Sequence, residues 1–150
     1  MDGGELDGLD LDDATLEVLC TRDLSGVPFP IVHLGAFYAK HRVGGEAVYR
    51  TVVMATGVTA TGELEPIGVT AGDGEDATFW TKFLLSLKVR GLHGVRTLAS
   101  GDHGGLRLAL DVVFPSAYWH PADLLEDLAE DAPALLDLRI EHDVEAESTT

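Results

Sequence analysis

The chain has 150 residues, 45% of them hydrophobic, which allows one domain with a real core, and no second core is expected. Its formal charge of −16 sits at the ends: residues 1–23 hold eight acids against Arg22, residues 121–150 hold ten against Arg139, and the middle nets zero, so the ends repel phosphate rather than bind it. The single cysteine, Cys20, excludes an intrachain disulfide and a thiolate zinc site, and no apolar run is long enough to span a bilayer or ordered like a secretory signal, so a cytoplasmic location with no membrane partner is expected.

Residues 1–13, rich in Gly and Asp, are expected to be disordered or loosely attached. Ala14 to Cys20 fits two turns of helix, and Pro28 and Pro30 close that region by fixing their own backbone and denying helical geometry to the residue before. A first strand is predicted from Ile31 to Lys40 and a second from Ala47 to Val58, with Gly44-Gly45 between them favouring an antiparallel hairpin. A third, shorter strand runs through Pro66 to Thr70. The helix after it is signalled by Asp73, Glu75 or Asp76 as cap, by Phe79, Trp80, Phe83, Leu84 and Leu87 at helical spacing, and by Gly91 as stop. Lys88 and Arg90 lie near its carboxyl end, where its own dipole favours cations.

Val95 to Ala99 reads as a short buried strand that enters a glycine-rich turn, Ser100 to Gly105, followed by a helix from about Gly105 to Val113. Polar residues just past the carboxyl end of a central α/β strand are held rigidly yet open to solvent, a common place for chemistry, and Asp102 sits there. A further strand is expected at Ala117 to Trp119, with Tyr118 and Trp119 covering the sheet edge. An acidic amphipathic helix follows from Pro121, and a disordered tail from Glu141 to Thr150.

Three antiparallel strands, a helix, a strand parallel to the first and another helix resemble the β-β-β-α-β-α order of the ribonuclease H-like fold, here an α/β half-domain with a mixed sheet and acidic ends. The stretch Arg22-Asp23-Leu24-Ser25-Gly26 through Phe29-Pro30, then Leu34-Gly35-Ala36-Phe37-Tyr38-Ala39-Lys40-His41-Arg42, resembles the start of the catalytic domain of mutator-type (IS256-like) transposases. So do Ala55-Thr56-Gly57-Val58 with Gly62, Phe79-Trp80 followed by Leu84 to Leu92, and Ser100 to Leu106 leading to Val113-Phe114-Pro115. The match covers roughly residues 22–119 and implies three segments: 1–23 acidic, 24–120 a catalytic-core fragment, and 121–150 an acidic helix and tail.

The resemblance implies DNA cleavage and joining at transposon ends by carboxylates that hold Mg²⁺. It also marks departures. The family pattern Leu-Asp-Ala-x-Tyr-x-Lys reads Leu34-Gly35-Ala36-Phe37-Tyr38-Ala39-Lys40 here, so glycine stands at the first metal carboxylate. Counting back from Phe114-Pro115, the second falls at Gly101, with Asp102 one position late. The basic stretch that follows in the family is replaced by His120-Pro121-Ala122-Asp123, as a frameshift or truncation near codon 119 would give.

For Asp102 two readings stand: a cap on the helix after the turn, or a residual metal ligand and catalytic carboxylate. Lys40, Arg42 and Arg50 either meet phosphate or form ordinary surface. His103 reads as a solvent-facing turn residue, Ser100 lacks a nucleophile-elbow context, and the six histidines have no zinc-ligand spacing. The expected function is therefore a catalytically inactive fragment of a mutator transposase. The alternatives are a non-catalytic interaction protein that pairs with an intact transposase, and a functionless relic.

Overall fold

The computed structural model describes residues 13–72 and 76–148. The expected disorder of residues 1–13 falls, but for Asp13, outside that range, as do the alternative caps Asp73 and Glu75. Helix α1 (Asp13–Thr21) leads through the Pro28 and Pro30 region into β1 (Ile31–Val43) and β2 (Glu46–Val58). These two strands pair antiparallel along their whole length, from Ile31 opposite Val58 to Val43 opposite Glu46. Their two-residue turn has φ of 60° at Gly44 and 87° at Gly45, the doubly left-handed geometry whose twist matches a hairpin and which only glycine adopts without strain. Both strands outrun their predicted limits because the ladder runs unbroken to the two-residue turn, ending with Val43 opposite Glu46.

Strand β3 (Leu64–Gly72) adds antiparallel to β2, and α2 (Ala77–Val89) starts where the Asp76 side chain accepts a hydrogen bond from the Phe79 N–H at 2.9 Å. After α2 come β4 (Thr97–Ser100), α3 (Leu106–Val113), β5 (Tyr118–Pro121) and α4 (Leu125–Ser148). The sheet order is β3-β2-β1-β4-β5, with β4 parallel to β1 and β5 parallel to β4. The result is a mixed α/β sheet. No described helix is long and apolar enough to cross a membrane.

Strand alternation sends neighbouring residues to opposite faces, and each face has its own core. On one, Val32, Leu34, Val53, Ala55, Ile67 and Leu98 meet Trp80, Phe83, Leu84 and Leu87 of α2 and Leu106, Ala109, Leu110 and Val113 of α3. On the other, Ile31, Val58 and Ala99 meet Ala122, Leu128 and Ala132 of the β5–α4 segment. Two cations pin the first layer. Lys88 Nζ donates to the Val113 carbonyl at 3.0 Å, and Arg90 donates to the Leu19 and Arg22 carbonyls at 2.6 and 3.1 Å. Each thus serves carbonyls at or just past the end of a neighbouring helix, rather than α2 alone as its position in sequence suggested.

Three expectations change. Asp102 does not cap α3: the cap position is Gly105, with φ of 80° and no side-chain cap bond, because the backbone of Ala77 and Asp76 crosses so close that a Cβ at 105 would overlap it. The chain from Glu141 to Ser148 is helical rather than a tail, since it continues α4 with Glu and Ala and without Gly or Pro. Tyr118 is 62% exposed; only Trp119 of that pair packs on the core, because alternation along edge strand β5 turns the two to opposite sides.

Candidate functional site

The parallel ladder of β1 with β4 ends at Leu34 opposite Ser100, so the next residue on each strand is Gly35 on one and Gly101 on the other. The two glycines singled out in the sequence therefore lie at equivalent positions on adjoining parallel strands, Gly35 within β1 and Gly101 just past the carboxyl end of β4. Gly35 has room: an added Cβ would meet only the His33 ring, at 3.4 and 3.8 Å. Gly101 has none. A Cβ there would overlap Oδ1 of Asp123 and come within 3.3 Å of His103 Nε2. A carboxylate from the turn after β5 thus fills the space that a side chain at 101 would take.

Around Gly101 opens a cleft of about 500 Å³ between β4, β5 and the start of α4, lined by Asp102, Asp123, Asp127, Glu130, Asp131 and Trp119. Asp102 is exposed at its rim. The floor is fixed by a short polar chain: the Trp119 indole N–H donates to Ser100 Oγ at 2.9 Å, and that hydroxyl donates to the Gly101 carbonyl at 2.7 Å. The guanidinium of Arg107 stacks 4.3 Å above the Trp119 ring, holding it from outside. Ser100 is wholly buried and acts as a tie, in keeping with its lack of a nucleophile context. His103, expected to face solvent, instead lays its ring 5.4 Å from Trp80, because the glycine turn folds back over the start of α2.

His33, one step before Leu34 and on the α4 side of the sheet, is 3% exposed. Its Nε2 lies 3.0 Å from the Ala122 carbonyl, an acceptor, so that nitrogen carries the proton. Burial pushes the His33 pKa below its ordinary 6.5, against the opposing pull of the Ala122 hydrogen bond and of the nearby charges of Asp127 and Asp123. His120 Nε2 meets Asp131 Oδ2 at 2.9 Å, a second link between sheet and α4. His33, Asp123 and Asp127 carry no local sequence signal for these roles; only the packing of the β5–α4 segment on the sheet brings Asp123 to Gly101 and sets both carboxylates near His33.

The residues present do not fit the divalent-ion site that the resemblance implies. Positions 35 and 101 both lack a side chain, the space at 101 is taken by Asp123, and among the described residues no three His, Cys, Asp or Glu side chains are grouped so as to hold a metal. In the hairpin register Lys40 pairs with Tyr49, Arg42 with Ala47 and Arg50 with Ala39; the side chains of Lys40 and Arg42 lie outside the described residues.

Residues 10–123 match the family described as "Transposase, Mutator family". The chain is 36% identical over 107 residues to the transposase for insertion sequence element IS1081 of Mycobacterium tuberculosis, covering 71% of this chain and 26% of that protein. It is equally identical over the same length to the transposase for ISRM5 of Rhizobium meliloti, covering 27% of it. To the transposase for IS256 in transposon Tn4001 of Staphylococcus aureus it is 33% identical over 98 residues, covering 65% of this chain and 25% of the relative. The chain thus spans about a quarter of the length of these relatives. Among solved structures it is similar to a chain of the simian T-cell lymphotropic virus intasome in complex with PP2A regulatory subunit B56 gamma, at a TM-score of 0.42 and 9% identity, over 81% of this chain and 48% of that one. A match spanning most of the described sheet and its first helical layer, with relatives above 30% identity, means that this chain belongs to the mutator family of transposases.

Proposed function

We propose that this chain is a ribonuclease H-like half-domain of a mutator transposase, derived from DNA transposition machinery and catalytically inactive. The fold reading rests on the strand order β3-β2-β1-β4-β5 with β1, β4 and β5 parallel. The inactivity reading rests on one observation: the residues that follow the last β1–β4 pair are both glycine, and Asp123 stands in the space of the second. In-line phosphoryl transfer by two metals needs carboxylates that hold the ions ~3.5–4 Å apart, and Asp102, exposed at the cleft rim, supplies one carboxylate for that task. What remains to such a domain is binding, to DNA and to an intact transposase, rather than strand cleavage.

The test has two arms. The purified chain should show no Mg²⁺- or Mn²⁺-dependent nicking of supercoiled DNA, and cleavage that is abolished by Asp102→Ala overturns the reading. Calorimetry should show Mn²⁺ affinity gained by Gly35→Asp with Gly101→Asp once Asp123→Gly has cleared the space. No gain in that triple variant means that 35 and 101 are not the former metal positions.

A further inference from the structure

Helices α2 and α3 lie side by side and run parallel. At their amino ends a Cβ at Gly105 would overlap the backbone of Ala77, and at their carboxyl ends Lys88 Nζ donates to the Val113 carbonyl at 3.0 Å. Trp80, Phe83, Leu84 and Leu87 of α2 and Leu106, Ala109, Leu110 and Val113 of α3 form the faces buried against the sheet. Helices packed on one side are normally polar on the other. Here the outward side carries Leu85 at 44%, Val89 at 84%, Leu108 at 61% and Val112 at 64% exposed, an i, i+4 pair on each helix. Their place is bounded on both flanks. Lys82 and Ser86 line the groove between α2 and β3, and Arg107 stacks on Trp119 of β5, with Asp111 one turn further along that flank of α3. The four aliphatic side chains therefore stand along the seam of the two helices. They leave roughly 450 Å² open, the size of the largest patch on a typical monomer, which is often functional.

From this we infer that the α2–α3 seam is the interface of a homodimer, with a second copy of this chain as its occupant. Self-complementarity selects a copy over other partners. The flank on α2 carries a cation, exposed Lys82, and the flank on α3 an acid, exposed Asp111, while Arg107 is engaged by the Trp119 ring. A two-fold axis along the seam lays α2 of one copy over α3 of the other and sets each Lys82 opposite an Asp111. The heights agree: Lys82 is five residues past Ala77 and Asp111 six past Gly105, the two positions that abut, a difference of ~1.5 Å at the helical rise. The same rotation brings Leu85, eight past Ala77, against Val112, seven past Gly105. Two such patches with their flanks come to the low end of the ~1,200–2,000 Å² of a stable interface, so the dimer is weak. The acidic α4 packs on the opposite side of the sheet, which turns its charge away from the seam. A polyanion seated here would face the Asp111 carboxylate instead. The inference is independent of the proposed function, since none of these residues lines the glycine-bearing cleft.

The experiment is sedimentation equilibrium of the full 150-residue chain from about 5 to about 500 µM, where an interface of this size should show exchange between monomer and dimer. Leu85→Glu and Val112→Glu, both at exposed positions, should each weaken the dimer about tenfold or more without moving the urea midpoint. Charge gives the sharper readout. Lys82→Asp should weaken self-association by setting Asp against Asp111, and Asp111→Lys by setting Lys against Lys82. An equimolar mixture of those two variants should recover a heterodimer of about wild-type affinity, because each then supplies the charge the other lacks. A chain that stays monomeric to the top of the range, a dimer indifferent to Leu85→Glu and Val112→Glu, or a mixture no tighter than either charge variant alone each overturns the inference.

Discussion

The two faces of the sheet are built differently. The α2–α3 face is closed by large side chains, Trp80, Phe83, Leu84, Leu87, Leu106 and Leu110, with Lys88 and Arg90 closing helix ends around it. The α4 face is a smaller cluster, Leu128, Ala122 and Ala132 over Ile31, Val58 and Ala99, with Leu135 and Leu136 only partly buried against it, and it is supplemented by polar links from His33 and His120. The first face lies within the family match, whereas α4, beginning at Leu125, lies beyond residue 123 where that match stops. The difference teaches that the fold is set by one face and the state of the cleft by the other: the same segment that covers the second face brings Asp123 to Gly101.

The largest effects should separate the two. Trp80→Ala, at a wholly buried ring, is expected to cost ~3–5 kcal/mol and to lower the urea midpoint of the entire domain, a large part of the ~5–15 kcal/mol that holds a domain folded. Leu128→Ala, equally buried, removes ~2–5 kcal/mol of local packing, but its cost to the whole is capped by the free energy with which α4 docks. Hydrogen exchange should therefore rise in α4 and β5 while α2 and α3 stay protected. Uniform loss of protection in the Leu128 variant would mean that the faces form one cooperative unit.

A smaller effect is expected at the contact that joins them. Gly101→Asp pushes a side chain into the space of Asp123 and sets two carboxylates together, at a cost of ~1–3 kcal/mol read from the thermal midpoint. Asp123→Gly on its own empties the space beside Gly101. Combined, the two should recover most of the loss, with a coupling above ~0.5 kcal/mol. Additive effects would show that residue 123 does not occupy the space at 101.

Much of the first face was legible in the sequence, because its signals are local. The spacing of Phe79, Trp80, Phe83, Leu84 and Leu87 fixed α2, Gly44-Gly45 fixed the hairpin, and Asp76 is the cap that the pattern allowed. The order of motifs also brought Gly35 and Gly101 to neighbouring strands as expected. What could not be read is tertiary. Asp102 follows Gly101 in a turn that suits a cap, yet the crossing of Ala77 over Gly105 decides where α3 begins. Lys88 and Arg90 look like partners of their own helix until α1 and α3 arrive. The occupant of the space at 101 lies 22 positions on, and no local pattern links it to the turn.

The gentlest probe of the comparison is pH, because His33 is the buried group that the α4 side must keep neutral. Its folded pKa lies below the ordinary 6.5, so folding favours the uncharged ring. That contribution is complete above 6.5 and is lost as pH falls through the lower folded value, where the ring must take up a proton against its burial. Asp127 and Asp123 face the ring and soften the penalty, as does the Ala122 carbonyl, so the loss should be modest and confined to the α4 side. Exchange protection of α4 is therefore expected to weaken between about pH 7 and about pH 5 while that of α2 holds. His33→Gln, which keeps an N–H donor for Ala122 but cannot gain a charge in this range, should flatten that dependence. An equal acid response in wild type and variant would move the pH sensitivity to the carboxylates of the cleft, and with it the explanation of what loosens the helix that closes it.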